Sequence, residues 1–256
     1  MTPDAATASP YAPSPAAAPA LRRVLAQAGL ELRITLRNGE QLLLSLVIPL
    51  VLMVALARGP LTVEGGIDSL APGVLALAVM SSSFTGLAIG TGFERRYGVL
   101  KRLGATPLGR GGLLAGKALA VVGLQVVQIA LVCAAAYALG WRPAVSWPAT
   151  LATLVLGSAC FAGLGMLMAG VLRAEATLAA ANLVWFLLVL GGGIVVALSD
   201  YPAGLQGPLA LLPSAALAEG LRSALGGGGL DGPAVAVLVA WSAVGYGLAA
   251  RTFRWD

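Results

Sequence analysis

The chain contains no histidine, which removes imidazole acid–base catalysis, histidine-bound zinc and a Ser-His-Asp triad from consideration. Cysteine is almost as scarce. Cys133 and Cys160 are the only two, and both lie inside apolar runs without a neighbouring charge to lower a thiol pKa, so they read as packing residues. Charge is thin too. Only 11% of the 256 residues are charged, against 58% hydrophobic, and the mean hydropathy is +0.88. A soluble globular chain does not have this balance.

What is present is apolar sequence gathered into six runs, over residues 42–57, 71–92, 113–139, 149–172, 177–198 and 233–250. A helix needs about 20 residues to cross roughly 30 Å of hydrocarbon, and all but the first run reach or approach that length. The expected fold is an all-α membrane protein with six transmembrane helices in one domain, residues 21–256. Ahead of it, residues 1–20 carry Pro3, Pro10, Pro13, Pro15 and Pro19 among small residues, the composition of a disordered tail. A secretory signal is not expected, because the first apolar run begins only at Leu42. Over residues 21–36, Leu21, Val24, Leu25, Ala28, Leu32 and Leu36 recur at helical spacing, with arginines largely elsewhere on the wheel. That pattern describes an amphipathic helix lying in the membrane surface.

Orientation follows from the cations. With the N-terminus inside, all of the 16 lysines and arginines except Arg58, Arg142 and Arg222 fall on the cytoplasmic side, so the positive-inside rule places both termini in the cytoplasm. The net charge of +5 then reflects topology rather than nucleic-acid affinity.

The most informative loop is FERRYGVLKRLGATPLGR, residues 93–110. Residues 94–103 can form a short helix with Phe93, Tyr97, Leu100 and Leu103 toward one side, ended by Gly104 and Pro107. Its length and its five cations suit either docking of a cytoplasmic partner or a topology signal resting on head groups. Directly after it, Gly111, Gly116 and Lys117 match G-x-x-x-x-G-K, but position 118 is alanine where a phosphate-binding loop needs Ser or Thr. Lys117 is instead expected to snorkel to the interface.

The runs themselves hold almost no ionisable residue, which disfavours a proton- or sodium-driven carrier. Their polar groups are neutral. Gln125, Gln128 and Asn182 are candidates for a substrate path, although interhelical hydrogen bonding explains such residues as well. Between the fifth and sixth runs, residues 211–225 are too short to span. Pro213 can open a helix there, with Glu219 and Arg222 spaced to pair, forming either a cap over the outer mouth or a gate.

These features resemble the type-2 permeases of ATP-binding-cassette (ABC) transporters, particularly bacterial drug-resistance exporters of the daunorubicin kind. The segment from Glu94 looks like that family's E-R-x-x-G-x-L-K-R-L-x-x-T-P-L loop at Glu94, Arg95, Gly98, Leu100, Lys101, Arg102, Leu103, Thr106, Pro107 and Leu108. Pro202, Pro213, Glu219 and Arg222 resemble its final outer segment, a re-entrant gate, and residues 21–36 its elbow helix. The resemblance implies a permease subunit in a bacterial plasma membrane that exports a lipophilic drug, natural product or lipid-like substrate. It further implies a homo- or heterodimer served by separate ATPase subunits, which hold the ATP and Mg²⁺, with no cofactor in this chain. The loop, including Arg96 and Tyr97, would be the coupling helix, and the turn at Arg173 and Glu175 a lesser contact. The alternative is a self-powered secondary transporter or channel.

Overall fold

The structure, a computed structural model, describes residues 18–58 and 65–252. Of the tail expected over residues 1–20, residues 1–17 lie outside the described residues, as does Arg254, while Ala20 already belongs to the first helix. Among the described residues the backbone is almost wholly helical, and β pairing is confined to an isolated bridge between Ala144 and Gly226.

The helix expected over residues 21–36 is α1 (Ala20–Arg37), entered from Pro19. It buries Gln27 and Ala28 and leaves Leu21, Leu25, Leu30 and Ile34 exposed. A short α2 (Gly39–Leu42), a π turn (Leu43–Val47) and α3 (Ile48–Arg58) follow. The first expected span is therefore a shorter apolar helix, Ser45–Arg58. Next comes one rod, Gly66–Arg96, made of α4 (Gly66–Met80), a second π turn (Ser81–Gly86) and α5 (Leu87–Arg96). Asp68 sits in the first turn of α4, where a carboxylate complements the helix dipole. The chain continues through α6 (Val99–Gly104), α7 (Gly109–Ala138), α8 (Trp147–Val171), α9 (Ala174–Gly191), α10 (Ala203–Ala210), α11 (Pro213–Leu225) and α12 (Gly232–Thr252).

Among the described residues, five helices are long and apolar enough to cross a membrane: Gly66–Arg96, Gly111–Ala138, Trp147–Val171, Ala174–Gly191 and Gly232–Thr252. The rod Gly66–Arg96 forms the centre, with every residue from Leu70 to Met80 buried. Close packing around it depends on glycine where helices meet. A Cβ at Gly245 of α12 would stand 2.8 Å from the Gly163 carbonyl carbon of α8, and one at Gly165 would stand 2.9 Å from the Phe84 carbonyl oxygen. In the same way, Gly116 and Gly123 of α7 receive Gln27 and Leu32 of α1.

The fifth expected span, residues 177–198, is cut short. Helix α9 ends at Gly191, and the chain passes through Gly192 and Gly193, the latter at φ +67°, into an irregular stretch ending in a single 3₁₀ turn, Leu198–Asp200. Three consecutive glycines remove the side chains that would favour the helix, and Gly193 takes a left-handed conformation open mainly to glycine. Helix α11 begins at Pro213 as expected, but it does not rest on the protein surface. Residues from Pro213 to Ala218 are buried, against α4, α8 and α12.

Candidate functional site

Most of the candidate residues of the sequence collect at the end of the bundle where α5 ends, α6 lies and α7 begins. The helix expected over residues 94–103 is in fact two pieces. Tyr97 and Gly98 close the end of α5 by donating to the Phe93 and Arg95 carbonyls at 2.9 and 3.0 Å, and Gly98, at φ +69°, redirects the chain into α6. A left-handed residue cannot continue an α-helix, so Glu94, Arg95 and Arg96 belong to the central rod rather than to the loop helix.

This division sorts the loop residues. Leu100 is only 2% exposed and anchors α6 to the bundle, Leu103 is half-buried, and Lys101, Arg102, Thr106 and Pro107 face outward. The Thr106 hydroxyl donates to the Leu103 carbonyl at 2.6 Å and so closes the turn after α6. Tyr97 is exposed, stacked on Phe93 with ring centroids 6.2 Å apart, and the Arg96 guanidinium lies 5.8 Å from its ring centre. Arg96 also pairs with Glu175. The loop and the turn at Arg173 and Glu175 are thereby brought together into one surface.

Arg95 and Glu94 have different surroundings. Arg95 donates from Nη1 to the Gly170 carbonyl at 2.7 Å and from Nη2 to the Leu172 carbonyl, capping the C-terminus of α8, where carbonyls lack helical partners and a cation suits the dipole. Glu94 turns inward to Lys117. Lys117 does not snorkel: it is only 6% exposed, its ammonium 2.6 Å from the Glu94 carboxylate and 2.9 Å from Glu31 Oε1. Glu31 also accepts from Gln27 Nε2 at 2.9 Å. A lysine placed where α1 packs on α7 has no unobstructed route to water, so it is held by carboxylates from two other helices. The sequence offered a weak signal for this triad, since Glu31 lies among the arginines on the polar side of α1.

The G-x-x-x-x-G-K segment lies wholly within α7. Its amides are committed to the helix and its lysine to two carboxylates, so nothing there can wrap a phosphate.

The three path candidates are not brought together. Gln125 donates to Ser83 Oγ at 2.6 Å and accepts from Ser158 Oγ at 2.9 Å, joining α7, the central π turn and α8. Gln128 donates to the Ser45 carbonyl in the first π turn at 3.0 Å. Both glutamines are buried, while Asn182 is exposed on α9. Trp185 donates from Nε1 to Ser81 Oγ at 2.9 Å and so adds α9 to the same polar layer.

At the opposite end, Glu219 and Arg222 pair at 2.7 Å as their spacing suggested. Arg222 does more. Its guanidinium donates to the Ser69 carbonyl at 3.1 Å, the Gly193 carbonyl at 2.7 Å and the Ile194 carbonyl at 3.0 Å, and Glu219 Oε1 accepts from the Leu198 amide at 3.0 Å. These bonds satisfy the backbone left open where α9 ends. Burial pushes the Arg222 guanidinium down from its ordinary value and Glu219 pulls it back; arginine's ordinary value is so high that the group stays cationic. Pro202 and Pro213 stand at the starts of α10 and α11.

The family model for the ABC-2 type transporter fits residues 25–225. The chain belongs to the ABC-2 type transporter family. Nothing among curated proteins matches it. The fit runs from within α1 to the end of α11 and so covers both ends of the bundle described above. An ABC-2 membrane domain is the transmembrane permease component and lacks an ATPase site, in keeping with the helical state of the glycine–lysine segment. With five crossing-length apolar helices, this ABC-2 chain is a multi-pass membrane protein.

Proposed function

We propose that this chain is the permease half of a bacterial ATP-driven exporter for lipophilic drugs, natural products or lipid-like compounds, powered by an ATPase on a separate polypeptide. In this reading the short Ser45–Arg58 helix, extended by the π turn and α2, is a sixth crossing, and α1 is an elbow in the cytoplasmic leaflet. Both termini are cytoplasmic, and α10 with α11 form a re-entrant outer gate. Two such permeases make the transport pathway.

The observation that carries the proposal is the division of labour around α6. Leu100 fixes the helix to the bundle, while Tyr97, Lys101, Arg102, Thr106 and Pro107 present a cationic and aromatic surface to the outside. Arg96 joins that surface to Glu175. A segment that served only as a topology signal would need charge but not a buried anchor or a closed turn. Force delivered to α6 passes through Tyr97 and Gly98 directly into the central rod, whose other end packs on α11.

The test is to express the chain with its neighbouring genes, purify it in detergent and measure the retained ATPase. Lys101→Glu with Arg102→Glu reverses two exposed charges, and we expect ATPase affinity to fall at least about tenfold, about 1.4 kcal/mol, and ATP-dependent transport to stop while membrane insertion is unchanged. Transport at the normal rate in that variant rules out α6 as the coupling element.

A further inference from the structure

A cavity of about 280 Å³ opens between α1, α5 and α7; it shares Tyr97 with the coupling surface and lies apart from α10 and α11. Glu31, Glu94 and Lys117 stand in its wall at one end, and Ala120, Val121 and Leu124 continue that wall along α7. From Lys117 to Leu124 is about 10 Å at the rise of an α-helix. The ionisable carboxylates and ammonium of the wall do not balance. Two carboxylates face one ammonium, which is already within 2.9 Å of both. Phe93 and Tyr97 contribute stacked rings to the same wall. Of the two arginines that follow Glu94, Arg95 caps α8 and Arg96 pairs with Glu175.

An excess carboxylate beside aromatic faces and an apolar channel is complementary to one kind of molecule. We propose that this cavity binds a compact lipophilic monocation, an amine or quaternary ammonium whose charge sits by Glu94 and Glu31 and whose apolar body extends toward Leu124. Anions are repelled by the surplus negative charge, and neutral amphiphiles leave that charge without compensation in a poorly solvated site. Aromatic walls are a common means of holding quaternary ammonium groups. The volume lies at the small end of ligand cavities, so the occupant is a compact molecule rather than a two-chain phospholipid. The inference concerns this chain alone and is independent of how the ATPase couples.

Gly90 makes a direct test possible. It lines the cavity, and a Cβ added there meets no neighbouring side chain or helix within 4 Å, so Gly90→Leu starts a bulky side chain in the open space of the cavity. The full chain, without any ATPase, is reconstituted in phosphatidylcholine vesicles and titrated calorimetrically with octyltrimethylammonium and with octyl sulfate. Each titration is corrected for partition into protein-free vesicles. The expected result is saturable binding of the ammonium at one site per chain and none of the sulfate. Glu94→Gln should weaken the ammonium about tenfold, the loss of one charge-assisted contact, and Gly90→Leu should abolish saturable binding with an unchanged gel-filtration profile. Absence of saturable binding, equal binding of the sulfate, or undiminished binding by Gly90→Leu overturns the proposal. The glycine variant decides the matter even if Glu94→Gln does not fold.

Discussion

Replacing Arg222 by methionine removes one side chain from the meeting point of three segments. The guanidinium side chain is 10% exposed and donates to three carbonyls, one at the start of α4 and two in the irregular stretch after α9, as well as to Glu219. Methionine preserves much of the apolar stem, so the loss is chiefly electrostatic. It leaves Glu219, itself 27% exposed, with only the Leu198 amide, and it leaves three carbonyls short of a donor. Removing one partner from a buried ion pair costs about 3–5 kcal/mol. For a chain of this size that corresponds to a fall in Tm of roughly 10 °C. Arg222→Lys restores the charge but not the planar fork that reaches Ser69 on one side and Gly193 and Ile194 on the other, and should recover about half of the loss. The assay is loss of the monomer peak on fluorescence-detected gel filtration after heating in detergent. An Arg222→Met protein melting within about 2 °C of the native chain would refute the idea that this arginine holds the outer segment together.

Arg95→Ala strips the cap from α8, freeing the Gly170 and Leu172 carbonyls at a cost of about 1–3 kcal/mol. Amide hydrogen exchange in the α8–α9 turn should accelerate, and unchanged protection would remove the capping role. On α12, Gly245→Val forces a side chain into the α8 backbone, whereas at Gly247 a Cβ meets nothing within 4 Å. The first variant should lose about 1–3 kcal/mol, as overpacked cores do, and Gly247→Val should melt with the native protein. Equal behaviour of the two would contradict the observed face of α12.

The long elements were legible because hydropathy alone marks them: α7, α8 and α12 begin and end within a few residues of the runs that announce them. The short or interrupted ones were not. In residues 177–198 the glycines at 191–193 are where the helix stops, but glycine is tolerated in membrane helices, and the bonds that hold the chain beyond them come from Arg222, 29 residues away from Gly193. Likewise the cationic loop was recognised, but its apolar pattern ran across Gly98 as if the helix were continuous, and only the left-handed backbone there shows that Glu94 and Arg95 point into the bundle. Lys117 was misjudged for a related reason. A lysine near the end of a span reaches water unless another helix covers it, and α1 lies 86 residues earlier in the chain at Glu31. Gln125 and Gln128 were marked as polar within the membrane, which they are, while their partners Ser83, Ser158 and the Ser45 carbonyl required three dimensions.

The serine-rich π turn, Ser81–Gly86, sets an angular phase. In an α-helix each residue turns the chain by about 100°, so a wide turn that takes in an additional residue rotates everything below it relative to everything above. The half before it is timed to fit α11, and the half after it is timed so that Glu94 meets Lys117 and Arg95 meets the end of α8. Deleting a single serine would leave both halves helical and both compositions intact, yet swing those two side chains away from their partners. The central helix is thus two separately keyed halves on one axle, and residues 81–86 are the offset between the keys.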